Sequence, residues 1–310
     1  MCYNGRMGGR VLVFGSINTD LTVYVQKLPH PGETVTGGTW DSFPGGKGAN
    51  QSVAAAKAGA EVAVYGCLGD DGFGKDRLAS LALTGISTAG IRVRKGARSG
   101  VALIMVDAEG ENSIAVAPGA NMQFEPDGVD IPAVPPGETW VALFQNEIPR
   151  QTTEALIRKT RVAGCVVMWN IAPTIGRRPG PDILASVDYL VCNKNEIRAL
   201  VGEQGDFETL ARKPLAWGVK NVIVTLGRNG SIWVTGESIH HQAAYPVESI
   251  DAVGAGDCFC GVLAASLASG NPVETAMRRA SAGAAISTTR RGAQPSMPTL
   301  QEIEEFLQRT

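Results

Sequence analysis

The chain has little that would recruit a metal ion, a membrane or a nucleic acid. Histidine occurs three times in 310 residues. His240 and His241 are adjacent, and His30 lies between Pro29 and Pro31, so no recognisable spacing gathers them as ligands. Aromatic residues make up 6 % of the chain. Net charge is −2, which excludes a global basic field and argues against nucleic acid or an anionic membrane as partner. No apolar run is long enough to span a bilayer. The first nine residues lack the apolar core of a signal peptide and read as a disordered leader, with Met7 as an alternative start. The expected location is the cytoplasm. The six cysteines are scattered, and only Cys258 and Cys260 are close. A C-x-C with no second pair is a poor zinc signature, so these read as structural thiols in a reducing compartment.

Two nucleotide-binding fingerprints are also missing. Lys47 stands in a glycine-rich turn, but Gly48 follows it where a P-loop needs Ser or Thr, and Asp41 occupies the place of its first glycine. No Gly-x-Gly-x-x-Gly follows the first strand, which argues against a nicotinamide-dependent dehydrogenase.

What remains is ordinary globular composition, 44 % hydrophobic and 19 % charged. The length suits two domains, or one large α/β domain with an insertion. Arg10-Val-Leu-Val-Phe-Gly15 is a continuous apolar run ending in glycine, as a buried parallel strand should be. From about residue 120 strands and helices alternate. Strands are predicted at 140–145, 165–170, 189–192, 221–226 and 231–234, with a helix over 151–160. That alternation predicts a doubly wound, mostly parallel sheet with helices on both faces, spanning 10–310. Segments 17–44 and 97–121 show period-two alternation instead. They predict a small lid sheet of half-exposed antiparallel strands, with a hairpin turn at Asp107-Ala-Glu-Gly110. Helices are expected over 51–58 and 75–83.

Four places carry candidate chemistry. Ser249-Ile-Asp-Ala-Val-Gly-Ala-Gly-Asp-Cys-Phe259 reads as a strand end, a glycine turn and a helix start. The first turn of a helix offers free N–H groups and a partial positive charge that suit phosphate. Asp257 stands at the expected N-cap; it is a cap, or a base that takes a proton from an attacking hydroxyl. Gly45-Gly-Lys-Gly-Ala-Asn50 leads into an Ala-rich helix. Lys47 and Asn50 there, with Asn18 and Asp20 opposite, could satisfy the hydroxyls of a polyol, or Lys47 is a solvated loop lysine. Asn193-Lys-Asn-Glu196 fits a capping box, or brings Glu196 near a hydrated magnesium ion. Thr225-Leu-Gly-Arg-Asn-Gly230 is a hairpin turn, or a loop lining a nucleotide.

Taken in order, these pieces resemble the PfkB carbohydrate kinases, and within them the ribokinase branch. The resemblance runs from about residue 10 to the end: Gly15-Ser-Ile-Asn-Thr-Asp20, Pro31-Gly-Glu-Thr34, Gly45-Gly-Lys-Gly-Ala-Asn50, Ser99-Gly-Val-Ala-Leu103, Gln145-Asn-Glu147, Asn193-x-x-Glu196, Thr225-Leu-Gly227, Asp251-x-x-Gly-Ala-Gly-Asp257 and Thr289-Arg-Arg-Gly-Ala-Gln-Pro-Ser296. It implies ATP-dependent phosphorylation of the primary O5 hydroxyl of D-ribose, with another sugar or a nucleoside as the alternative, and a silent sugar sensor as a rival of a different class. It implies Asp257 as general base and an anion hole from the 254–257 turn, using the amides of Ala255, Gly256 and Asp257 after Gly254. Asn18, Asp20, Gly46, Lys47, Asn50 and Glu147 would hold the sugar. Asn193, Thr225, Gly227, Gly230, Gly256 and Ser281 would line ATP, with Glu196 in a magnesium network. Potassium would lie near Asp251, Val253, Ser287, Arg290, Gly292 and Ser296. The lid sheets would pair into a homodimer. The chain departs from the family pattern at Asn170-Ile-Ala-Pro173, at Val191-Cys192 before Asn193, and mildly at Asn18-Thr-Asp20, with no loss of a group the chemistry needs.

Overall fold

The computed structural model describes residues 9–174, 176 and 178–310. The leader apart from Gly9, with Cys2 and Met7, lies outside the described residues. The strands are β1 (Arg10–Phe14), β2 (Asn18–Tyr24), β3 (Thr39–Gly45), β4 (Glu61–Gly69), β5 (Ser87–Arg94), β6 (Gly100–Val106), β7 (Asn112–Ala117), β8 (Trp140–Phe144), β9 (Val166–Asn170), β10 (Tyr189–Asn193), β11 (Asn221–Thr225), β12 (Ser231–Val234) and β13 (Ile239–Gln242). The helices are α1 (Lys47–Lys57), α2 (Gly72–Leu83), α3 (Arg150–Val162), α4 (Pro181–Leu184), α5 (Lys194–Val201), α6 (Phe207–Ala216), α7 (Ala255–Ala268), α8 (Val273–Thr288) and α9 (Leu300–Arg309).

Nine strands form the main sheet in the order β13-β12-β11-β10-β9-β8-β1-β4-β5. All neighbours are parallel except β11–β12 and β12–β13. Strand β1 shows why both faces must be covered. Side chains alternate along a strand, so Val11 and Val13 enter the core beneath α1, α7 and α8. Leu12 and Phe14 enter the other core, beneath α3 and α5. Burying four such side chains contributes about 1.5–3 kcal/mol each.

The lid is a four-stranded sheet, β3-β2-β6-β7. Its segments match the two predicted stretches, but β2 and β6 pair in parallel, so it is mixed and not antiparallel. The reason is connectivity: the chain leaves the lid after β3, builds α1, β4, α2 and β5, and returns, so β2 and β6 both run outward from the main sheet. Val23, Trp40, Leu103, Ile114 and Val116 remain exposed on the lid. Two helices start earlier than predicted. Helix α1 begins at Lys47 because Gly46 takes φ 87°, and α2 begins at Gly72 because Asp71 caps it through Gly74 N at 2.9 Å. Strands β5 and β13 escaped the sequence reading: both are edge strands, short or polar, with weak alternation. Among the described residues no helix is long and apolar enough to cross a membrane.

Candidate active site

Four chain segments meet at the carboxyl ends of the central strands: the β1–β2 junction, the β3–α1 turn, the residues after β8, and the start of α7. Open α/β sheets bind ligands at such an edge. Gly46 makes the junction close. A Cβ there would sit 2.7 Å from Asn18 N and 2.9 Å from Ser16 O, and its φ of 87° disfavours any other residue. Asp20 lies over Gly45, where a Cβ would come within 2.1 Å of its carboxylate. Asn18 is buried, and its Oδ1 accepts from Asn121 Nδ2 at 2.7 Å. Glu147 Oε2 accepts from Lys47 N at 3.0 Å and from the Ser16 hydroxyl.

Asp257 corrects one expectation. It is not the N-cap of α7. Gly254, at φ 77°, is the cap, and Asp257 is the third residue of the helix. Nor does its side chain cap the helix. A capping carboxylate accepts from its own helix's amides. Asp257 instead accepts from two side chains of α1: Asn50 Nδ2 bonds Oδ2 at 3.0 Å, and Gln51 Nε2 bonds Oδ1 at 2.9 Å. Gln51 also donates to Asn170 Oδ1 at 3.0 Å and accepts from Gln145 Nε2 at 2.7 Å. Gln294 Nε2 donates to Asn50 Oδ1 at 3.1 Å. Asn50 therefore keeps one N–H for a further acceptor.

Of the three amides expected to form an anion hole, the structure leaves two open. Ala255 N–H already donates to Ala252 O at 3.2 Å, while Gly256 and Asp257 have no backbone partner for their N–H among the described residues. Those two amides are the helix donors open to an anion.

Charge concentrates around Asp257. Burial pushes the Asp20 carboxyl up to about 6, helped by the nearby charges of Glu147 and Asp257. The Asp257 carboxylate holds the Lys47 ammonium above its ordinary value, against a burial penalty in the other direction, and Glu147 and Glu196 add to it. Lys47 lines a small cavity of about 120 Å³ together with Asn193, Glu196, Gly256 and Asp257. It is thus a pocket lysine and not a solvated one. Through Thr225 and Gly256 this cavity adjoins a larger cleft of about 580 Å³, lined also by Gly227, Gly230 and Ser281. That volume suits a nucleotide-sized ligand. All six residues predicted to line ATP fall in these two spaces.

The Asn193–Glu196 capping box exists: Asn193 Oδ1 accepts from Asn195 N and Glu196 N at 2.8 and 2.9 Å, and Glu196 Oε2 accepts from Asn193 N at 2.7 Å. It does not exclude the cavity-lining role, since Glu196 is buried against Lys47 and desolvation raises its carboxyl. The residues predicted for potassium are drawn together by Asp251, whose two oxygens accept from Val253 N at 2.9 Å and Gly292 N at 2.8 Å. The Ser287 and Ser296 hydroxyls point onto Ala284 O and Ala293 O at 2.8 Å each. Arg290 instead pairs with Glu302 at 2.5 Å, so only its backbone is available to a cation. The donor set is all oxygen, which fits a hard cation. No cluster of three or more His, Cys, Asp or Glu occurs among the described residues.

Sequence reasoning passed over Gln51, Asn121 and Gln294 as contributors. Gln51 and Asn121 are apolar-helix and loop residues by pattern, and their partners lie 206 and 103 positions away.

The model of the "pfkB family carbohydrate kinase" matches residues 9–300. A deoxyribokinase of Salmonella typhi is 34 % identical over 301 residues, covering 96 % of this chain and 98 % of that protein. A ribokinase of Bacillus subtilis is 35 % identical over 297 residues, covering 96 % and 99 %. The structure of Arabidopsis thaliana ribokinase complexed with ribose and ATP superposes with a TM-score of 0.85 at 30 % identity, covering 97 % of this chain and 99 % of that one.

Proposed function

The chain belongs to the pfkB family of carbohydrate kinases, and from that premise we propose that it transfers the γ-phosphoryl group of ATP to O5 of D-ribose. The observation that carries the reading is Asp257. It is a buried carboxylate beside two free helix amides, gripped by α1 side chains, at the join between the cleft and the polar cluster of Asn18, Asp20 and Glu147. In the reaction the O5–H proton passes to Asp257, O5 bonds to the γ-phosphorus, and the bond from that phosphorus to the bridging oxygen breaks. ADP leaves with the electron pair. The Gly256 and Asp257 amides hold charge on the transferring group, and Lys47 adds a cation. Asn18, Asp20, Lys47, Asn50 and Glu147 orient the sugar, with Gly46 giving it close access to the backbone. Asn193, Thr225, Gly227, Gly230 and Ser281 hold the nucleotide. Magnesium, when bound through Glu196 and its waters, neutralises phosphate charge. The oxygens of Asp251, Val253, Ser287, Arg290, Gly292 and Ser296 would hold potassium, which would supply positive charge. The exposed apolar residues of the lid support a homodimer through the lid sheets.

A second reading, 2-deoxyribose as acceptor, is favoured by the near-equal identity to the Salmonella typhi deoxyribokinase. Buried Asn18 and half-buried Asp20 weigh the other way, because polar groups built to meet a hydroxyl are left unpaired when it is missing. The test is ADP release with ATP, magnesium and potassium against D-ribose, 2-deoxyribose, D-fructose, 2-keto-3-deoxygluconate and adenosine. D-ribose should exceed 2-deoxyribose by about 10²-fold in kcat/KM. Preference for another acceptor reassigns the pocket. Silence on all five with ribose still bound makes the chain a sensor.

A further inference from the structure

Gln51 is fully buried and takes no part in the phosphoryl transfer outlined above. Its amide group is nevertheless fixed at both ends. A carboxylate only accepts, so Gln51 must turn its NH₂ toward Asp257 Oδ1, at 2.9 Å. The same NH₂ meets Asn170 Oδ1 at 3.0 Å, and Asn170 Nδ2 is anchored on Val191 O at 3.1 Å. The Gln51 oxygen then faces away, and Gln145 supplies the donor it needs at 2.7 Å. The order of donors and acceptors therefore runs one way, from Gln145 through Gln51 to Asp257. It links the end of β8, the end of β9 and helix α1 to the first turn of α7.

We propose that Gln51 is a positioning residue for Asp257, acting with Gln145 behind it. Resting on the reading of Asp257 as the base, it fixes the plane of the carboxylate and leaves one lone pair of each oxygen for the reaction. The other charged or titratable groups facing Asp257 are Lys47 on α1, Asp20 on β2, Glu196 on α5, and the Cys258 and Cys260 thiols of α7. Of these only Lys47 is cationic, and it acts on Asp257 through its charge, with no hydrogen bond between the two side chains among the described residues. The two amides are the direct contacts.

The experiment measures kcat, both KM values and the pH profile of kcat/KM in Gln51→Leu, Gln51→Glu and Gln145→Glu, with Asp257→Asn as control. Gln51→Leu should lower kcat by about 10–100-fold with sugar and ATP KM within about threefold. Gln51→Glu sets a carboxyl against Asp257 and should move the acid limb up by at least about one pH unit. Gln145→Glu, one residue removed from the base, cannot donate to the Gln51 oxygen. It should turn the Gln51 amide over and move the limb the same way, so it decides the matter if a Gln51 variant does not fold. If Asp257→Asn is inactive while these variants keep the parent kcat and pH profile, Gln51 is only packing and the inference is overturned. If Asp257→Asn turns over normally, the base assignment itself has failed.

Discussion

Helices α1 and α7 both begin at a glycine with positive φ, 87° at Gly46 and 77° at Gly254, and neither has a side-chain cap. They pack against each other with their first turns in the same site. Their open amides meet different fates. At α1 the protein satisfies the whole turn: Lys47 N donates to Glu147, Ala49 N to Ser16 O at 2.9 Å, and Asn50 N to Gly46 O at 2.8 Å, while Gly48 N lies 3.5 Å from Ser16 Oγ. At α7 the amides of Gly256 and Asp257 are left open beside a cavity. A helix start is a generic anion site. Here one copy is closed by the chain's own carboxylate, and the other is left open beside a cavity. The glycine turns alone do not tell the two apart; the neighbours do.

Two substitutions should separate these roles most sharply. A Cβ at Gly256 would meet no atom within 4 Å, so Gly256→Val should leave the melting temperature within a few degrees. Its side chain would enter the phosphate space and should lower kcat/KM for ATP by about 10³-fold, or about 4 kcal/mol. Gly46→Ala should do the reverse. Its positive φ and the Asn18 amide 2.7 Å from the new Cβ should cost about 2–3 kcal/mol of stability in urea unfolding. If Gly256→Val unfolds the protein and Gly46→Ala does not, the contrast is wrong.

A smaller effect is expected from Glu147→Gln, which keeps the shape but removes the charge at the start of α1. Stability should fall by about 1 kcal/mol, with a raised sugar KM. An unchanged melting curve would mean that the carboxylate is not what closes this helix. The smallest effect concerns Asp20, whose carboxyl titrates at about 6. In the proposed role of acceptor for sugar hydroxyls it acts best when ionised. Lowering the pH from 7.5 to 5.5 should therefore raise the sugar KM about fourfold, and Asp20→Asn should flatten that dependence. The sign for stability is opposite. The folded state prefers the neutral acid, so this group favours the free protein as pH falls through about 6 towards the ordinary carboxylate range.

The apolar run at 10–14, the alternation at 112–116 and the glycine turns carried the sheet, the lid and the presence of both helices, though not their first residues, because each is a local signal. Asp257 was found but taken for the cap, which lies three residues before it at Gly254, since Gly254, Ala255 and Gly256 can each start the helix and only the backbone angles choose among them. Gln51 and Gln294 could not be read. In an Ala-rich helix a polar residue is usually a solvated one, and the pairs Gln51–Asp257 and Asn50–Gln294 span 206 and 244 positions. Periodicity has no access to such distances.

Strand β2 starts at Asn18 and β3 ends at Gly45, so the residues proposed to meet the sugar, Glu147 apart, stand at the root of the lid itself. The walls of the cleft proposed for the nucleotide come from β11 and the turn after it, the loop before α7, α7 and α8, on other parts of the chain. Acceptor and donor are thus written in separate stretches. A drift in acceptor preference has to carry the lid's posture with it, whereas the grip on ATP can stay untouched. On the proposed reading, a transplant of residues 18–20 and 46–50 together with Glu147 into a relative should move the choice of sugar as one unit.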